Sequence, residues 1–279
     1  MSAGAATAQW DGVLPLAHTA RVVAAAGKLL ALEKPAGIMT HPNKEVDRNY
    51  SLLRAAYDLG RECYHWTPTA PGAPGELYLL NRLDSPTSGL VLAALDEETA
   101  ALGRQAFADG KVTKIYYALV LGLPRPAKGV WVDKLARLPA GGGGGGRGGG
   151  IRVVVARGGP GQLAETRYEC VETHPSAGAM LSLLKLEPVT GRTHQLRVQC
   201  GARGVAIVGD GTYGDFMFNR EFARRTGHKR LFLHATSLRI PSLNFSAESP
   251  LPHEFQVALG KEKPRSSNKS SAAQPDRES

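Results

Sequence analysis

Between Leu77 and Leu95 the chain reads LYLLNRLDSPTSGLVLAAL, two apolar runs of strand length around the polar break Asp84-Ser85-Pro86-Thr87-Ser88-Gly89. Pro86 fixes its own φ and Gly89 tolerates a positive one, so the break predicts a turn. Arg82 and Asp84 then fall where a buried strand leaves the core. Upstream, RVVAAAGKLLALEK (Arg21 to Lys34) predicts a hairpin turning at Ala26-Gly27-Lys28 and broken by Pro35-Ala36-Gly37. Leu52, Leu53, Ala56 and Leu59 recur at helical spacing and predict a helix from Tyr50 to Leu59, with Asn49 or Ser51 as its N-cap. Trp66 to Gly75, rich in Pro and Gly, predicts a loop.

Downstream, Asp96 to Asp109 predicts a helix, with Asp96 as N-cap, Glu97 and Glu98 in the first turn and Gly110 at the stop. Val112 to Val120 is β-branched and aromatic, hence a strand. Alternation puts Lys114, Tyr116 and Ala118 on one face and Ile115, Tyr117 and Leu119 on the other. Short strands are predicted near Trp131–Leu135 and Ile151–Ala156, longer ones over Ala164–Glu172 and Leu181–Val189, and a last core strand over Leu231–Leu238. The run TGRTHQLRVQC turns at Thr190-Gly191, continues as a helix, and is ended by Gly201 and Gly204. The stretch GGGGGGRGGG at 141–150 supports no core and predicts a flexible loop insertion at 139–150. Residues 1–14 are expected to be a flexible leader and 261–279 a disordered tail, leaving one catalytic domain over 15–260.

Composition narrows the partners. The 279 residues carry a formal charge of +9, which favours a polyanion, RNA or DNA before membrane. Asn219 to Arg230 concentrates Arg220, Arg224, Arg225, Lys229 and Arg230; it is either a phosphate-contacting face or a solvated basic helix. No apolar run approaches the roughly 20 residues that span a bilayer, and MSAGAATAQW lacks the basic start and apolar core of a secretory signal. Cys63, Cys170 and Cys200 are odd in number and far apart, which reads as reduced thiols and no zinc site. The expected setting is cytoplasmic, with an organelle left open. Neither a Walker loop nor a GxGxxG after a strand is present, so no nucleotide cofactor is implied.

A carboxylate held at a strand exit serves as nucleophile or general base, or merely bonds its own turn. Asp84 taken alone fits either description. Two further stretches decide between them: KIYYALVLG (Lys114 to Gly122) and EPVTGRTHQLRVQCGARGVAIVGDGTYGD (Glu187 to Asp215). With NRLDSPTSGLVL they resemble the RluA-type pseudouridine synthase family. EKPAGIMTHP (Glu33 to Pro42) and LFLHATSLRIP (Leu231 to Pro241) resemble that family's opening and closing segments, in the same order.

The resemblance implies an α+β fold on a long mixed, mostly antiparallel sheet with a central cleft. It also implies a cofactor-free, monomeric isomerase that converts uridine in rRNA or tRNA to pseudouridine. Carried over by motif, Asp84 is the catalytic aspartate and Tyr116 stacks on the target base and aids proton removal at C5. Arg197 pairs with Asp84, offering it two donors. His194, three residues earlier, shares Arg197's helix face. Ile207, with Val208 as the alternative, is an apolar wall beside the base. Arg82 contacts RNA or helps flip the base. Arg224 and Arg225 are candidate RNA contacts from the charge of their patch, not from the resemblance. Where the family usually has His, this chain has Asn81, which still donates and accepts hydrogen bonds. Two rival readings remain: an inactive RNA-binding assembly factor with the same fold, and a glycosidase. The glycosidase needs a second carboxylate, and NRLDSPTSG offers only Asp84.

Overall fold

The computed structural model describes residues 7, 9–10, 12–17, 19–138, 151–176 and 178–262. The Gly-rich stretch at 139–150, part of 1–14, and 263–279 lie outside the described residues. The predicted hairpin is present as β1 (Arg21–Ala26) and β2 (Leu29–Lys34), paired antiparallel. After a 3-10 turn at Glu45–Tyr50 come β3 (Ala56–Asp58), β4 (Cys63–His65), β5 (Glu76–Leu79) and β6 (Ser88–Ala94). Helix α1 (Glu97–Ala108) starts on Asp96, whose side chain accepts from the Thr99 amide, as its sequence predicts. Then follow β7 (Thr113–Leu121), β8 (Lys128–Arg137), β9 (Val153–Val155), β10 (Gln162–Ser176) and β11 (Ala179–Pro188). Helices α2 (Gln195–Ala202) and α3 (Phe216–Thr226) precede β12 (Leu233–Ile240), β13 (Phe245–Glu248) and α4 (His253–Ala258).

These strands form one mixed sheet in the order β3-β4-β5-β6-β12-β7-β11-β10-β8-β9, with β2 also on β6, β1 on β2 and β13 on β12. Every pairing is antiparallel except β6 with β12. All seven residues of β6 are buried. Leu90, Leu92 and Ala94 pack toward α1, while Val91 and Ala93 pack against Leu52, Leu53 and Tyr64. A strand covered on both faces reads as an unbroken apolar run, which is what the sequence shows.

The same strand opens the cleft. One edge of β6 is paired with β2 from Gly89 to Ala94. The other edge is shared: β5 takes Ala93 and Ala94, and β12 takes Ser88 and Gly89. Between these two partners the chain from β5 must leave the sheet, and that departing segment carries Asp84. Gly89 is required here. Its φ is 112°, and a Cβ would lie 2.3 Å from the Ala235 carbonyl oxygen.

The predicted helix at Tyr50–Leu59 is not formed. Leu52 and Leu53 are both fully buried and Leu59 is exposed, so no single helical face exists. The backbone hydrogen bonds of this stretch go outward: Leu52 donates to the Met39 carbonyl, Ala17 to that of Leu52, and Arg54 to that of Pro15. Tertiary pairing overrides the helical spacing. The expectation that Leu231–Leu238 closes the core also fails. Strand β13 pairs along β12, and Phe255 of α4 packs on Phe232 at a ring distance of 5.1 Å.

Candidate active site

The segment carrying Asp84 is tied down on both sides by the EKPAGIMTHP stretch. Thr40 Oγ1 donates to the Leu83 carbonyl (2.7 Å) and accepts from the Leu83 amide (3.0 Å). The Gly37 amide donates to the Ser85 carbonyl at 2.8 Å. The fully buried ammonium of Lys34 donates to the carbonyls of Pro35 (3.0 Å), Ile38 (2.8 Å) and Ser85 (3.0 Å). Three donors meet three acceptors, so the charge is hydrogen-bonded although buried. Burial lowers the Lys34 pKa to about 7; Asp84 opposes the shift and Arg230 adds to it.

Arg197, in the first turn of α2, reaches Asp84 from 113 residues away in the sequence: its Nη1 donates to Asp84 Oδ2 at 2.9 Å. The two-donor grip expected on Asp84 lies elsewhere. Nε and Nη2 of Arg197 both bind Asp210, at 2.8 and 2.9 Å. Asp210 also accepts from the amides of Thr212 (2.8 Å) and Tyr213 (3.0 Å). Burial works against its ionisation, but Arg197 and these amides outweigh it and hold the carboxyl below its usual range. Asp210 was not singled out in the sequence. Its signal is the Asp-Gly-Thr-Tyr turn, where a carboxylate collects amide hydrogens.

His194 caps α2 with a left-handed φ of 54° and places Nε2 3.7 Å from Asp84 Oδ2. Its Nδ1 lies 2.8 Å from the Tyr213 hydroxyl, whose oxygen accepts from the Val153 amide at 3.0 Å. If the phenol donates to Nδ1, the neutral imidazole carries its proton on Nε2, toward Asp84. Burial lowers the pKa of this histidine, partly opposed by Asp84. The Tyr213 ring also lies under the Arg197 guanidinium, 5.2 Å from its centre.

A cavity opens over these groups, lined by Arg82, Asp84, Lys114, Tyr116, Arg192, His194 and Arg197 among others. Asp84 is the one carboxylate among its lining residues. Tyr116 faces it from β7, on the side shared with Lys114, as alternation predicts. Burial and then the Asp84 charge push its phenol upward, so the hydroxyl keeps its proton. Arg82 sits at the rim, 57% exposed, in a loose pair with Glu62 at 3.5 Å.

The remaining sequence candidates lie away from the cavity lining. Asn81 Oδ1 accepts from the Leu92 amide at 2.7 Å, so its side chain continues the β5–β6 ladder. Ile207 is buried behind Tyr116, and Val208 belongs to a different cluster, with Leu119 and Phe232. The apolar wall that the cavity does expose is Leu83, Pro188, Leu196 and Leu233. Arg224 and Arg225, in the last turn of α3, both turn back to Glu221.

Behind Asp84 runs a buried chain of hydrogen bonds whose polarity is fixed by its ends. Arg230 donates to Ser88 Oγ. Ser88 then gives its proton to His234 Nδ1 (2.8 Å), His234 Nε2 donates to Ser249 Oγ (3.0 Å), and Ser249 donates to Glu33 (2.7 Å). His234 must be neutral, and burial with Arg230 lowers its pKa to about 4. This histidine should therefore cost stability as pH falls from its ordinary pKa toward about 4: above that window both states are neutral, within it only the unfolded chain takes up the proton, and below it the loss is complete. Nitrogen-15 NMR is expected to show His234 as the Nε2-H tautomer, unchanged from pH 8 to 5. Titration near 6.5 would mean that the chain is broken.

The protein-family model described as RNA pseudouridylate synthase matches residues 28–202. An RNA pseudouridine synthase of Haemophilus influenzae is 35% identical over 182 residues, covering 65% of this chain and 71% of that protein. A tRNA pseudouridine synthase C of Haemophilus ducreyi is 31% identical over 221 residues, 76% of this chain and 81% of that one. The ribosomal large subunit pseudouridine synthase C of the same organism is 29% identical over 237 residues, and the match spans 84% of this chain but 66% of the relative. Among solved structures, human RNA pseudouridylate synthase domain containing 1 superposes with a TM-score of 0.65 at 25% identity, covering 89% of this chain and 90% of that one.

Proposed function

The chain belongs to the RNA pseudouridylate synthase family, and from that membership we propose that it isomerises particular uridines of ribosomal or transfer RNA, with Asp84 as the catalytic group. The observation that carries this reading is the Asp84 carboxylate, held by Arg197 at 2.9 Å in a cavity that Tyr116 also lines. The net reaction breaks N1–C1′, turns the uracil, forms C5–C1′, removes the C5 proton and returns a proton to N1. Nothing is oxidised or consumed, so no cofactor enters the balance. Asp84 acts on the ribosyl–uracil unit as nucleophile or base. Arg197 restricts one oxygen, leaving the other to the substrate. Tyr116 stacks on the extruded uracil, and its protonated hydroxyl relays the C5 proton rather than capturing it as a phenolate. Extrusion from folded RNA costs a few kcal/mol, offset by stacking and backbone contacts.

The test is pseudouridine mapping of ribosomal and transfer RNA with and without the protein. Positions that appear only with the protein are expected, and their absence from both pools would overturn the assignment. Tyr116→Phe should bind RNA nearly as wild type, because the ring still stacks, yet lose most single-turnover activity. Tyr117→Phe is the control, since that ring packs toward the opposite cluster with Leu119. A Tyr116→Phe rate close to wild type would reduce the hydroxyl to a bystander.

A further inference from the structure

Of the four lysine and arginine side chains that line the cavity, two are matched by a carboxylate. Arg197 has Asp84 and Asp210, and Arg82 has Glu62. Two are not. Lys114 extends from β7 two residues before Tyr116, and its ammonium lies 3.5 Å from the Thr190 carbonyl. Arg192 donates Nε to the Leu163 carbonyl at 3.0 Å. Among the described residues neither makes an ion pair, and both line the cavity. Between them the turn carries Gly191, whose missing Cβ would stand 3.9 Å from Lys114 Nζ. Gln195 fixes this turn: its Oε1 accepts from Thr190 Oγ1 (2.7 Å) and from the Arg192 amide (3.0 Å), while its Nε2 donates to the Glu165 carbonyl at 2.9 Å. The turn is therefore a built feature rather than a loose one.

We infer that Lys114, Arg192 and the Thr190–Gly191 turn form a subsite for a backbone phosphodiester next to the target nucleotide, fixing the path of the RNA strand past Asp84. This rests on the proposed function and says how that site holds its substrate. A half-buried ammonium without a counter-charge is costly, and a ligand anion removes the cost. A guanidinium fork beside a point-charge ammonium suits phosphate oxygens. The position also fits. Lys114, Arg192 and Asp84 line the same cavity, so an anion held by the two cations belongs to the strand whose nucleotide occupies it.

The experiment measures the affinity of the full chain for a fluorescein-labelled oligouridylate across a salt series, for wild type, Lys114→Met, Arg192→Gln, the double variant and Lys114→Arg. Each neutralised contact should reduce the magnitude of the slope of log K against log salt by about 0.7, the value per phosphate on a single strand. The double variant should show the sum, and Lys114→Arg should restore the wild-type slope. Thermal melting of each variant checks its fold. A double variant with the wild-type slope overturns the subsite, as does a wild-type chain with no affinity for the oligomer. An unchanged slope with a slower single-turnover rate would move the two cations onto the uracil and also overturn it. A wild-type protein that makes pseudouridine but fails this test leaves the proposed function standing and removes the subsite alone.

Discussion

Asp84→Asn is expected to form no detectable pseudouridine in a single-turnover assay, while RNA affinity stays within about tenfold of wild type, or roughly 1.4 kcal/mol. The amide keeps the shape of the carboxylate, and its oxygen still accepts from Arg197 Nη1. What it lacks is the charge and the nucleophilic or basic oxygen that the reaction needs. The fold should tolerate the change. Asp84 is a quarter exposed, and Arg197 keeps both of its bonds to Asp210. The loss is expected at roughly 1–2 kcal/mol, the scale of one hydrogen bond to a charged group. A second readout is more specific. Asp84 is the charge that holds the Lys34 pKa up against burial. Without it Lys34 should release its proton at lower pH, and a neutral amine has two donors for three carbonyls. Stability of the variant around neutral pH should therefore differ in pH dependence from wild type. Residual isomerisation by a preparation free of wild-type enzyme would overturn the role of Asp84.

The parts of this molecule that could be read from the sequence are those where a local signal and the tertiary structure agree. The run from Leu77 to Leu95 announced two buried strands and a turn, because β6 is covered on both faces and needs no alternation. The α1 cap at Asp96 and the face of β7 that carries Lys114 and Tyr116 were legible for the same reason: caps and strand alternation are set within a few residues. The helix at Tyr50–Leu59 failed because its leucines answer to partners elsewhere, Leu16 and Met39 among them, and no local pattern records those. Ordered motifs brought Asp84, Arg197 and His194 to one place, but not the division of Arg197's donors. That division depends on Asp210, which the motifs did not single out. Asn81 illustrates the converse. Its place in the motif pointed at the substrate, whereas its amide stands in for backbone where β5 departs from the sheet.

The division of donors makes Arg197 the substitution with the largest combined cost. Arg197→Met should abolish activity, since Asp84 loses the bond that orients it. It should also strand Asp210, which has no exposed side-chain surface. Breaking a buried pair from one side typically costs about 3–5 kcal/mol. Removing both partners should cost less than the sum of the singles, because the second change relieves the stranded charge. The coupling energy of Arg197 with Asp210 should then exceed that with Asp84, which receives one donor and reaches solvent. Arg197→Lys is expected to recover part of the stability and little activity, as an ammonium cannot serve two carboxylates through a planar fork. The pH dependence follows the same pair. The Asp210 pKa is depressed in the folded state, so its stabilisation is complete above the ordinary carboxylate range and fades as pH falls through the depressed value. Asp210→Asn should flatten that part of the acid-unfolding profile. It should also slow turnover, on the order of a hundredfold if the guanidinium shifts by an ångström, without removing it. Chemical denaturation of the two double-mutant cycles decides the matter. A larger coupling at Asp84 than at Asp210 would place the bidentate grip where the motif alone had put it, and additive losses at both would show that Arg197 touches neither.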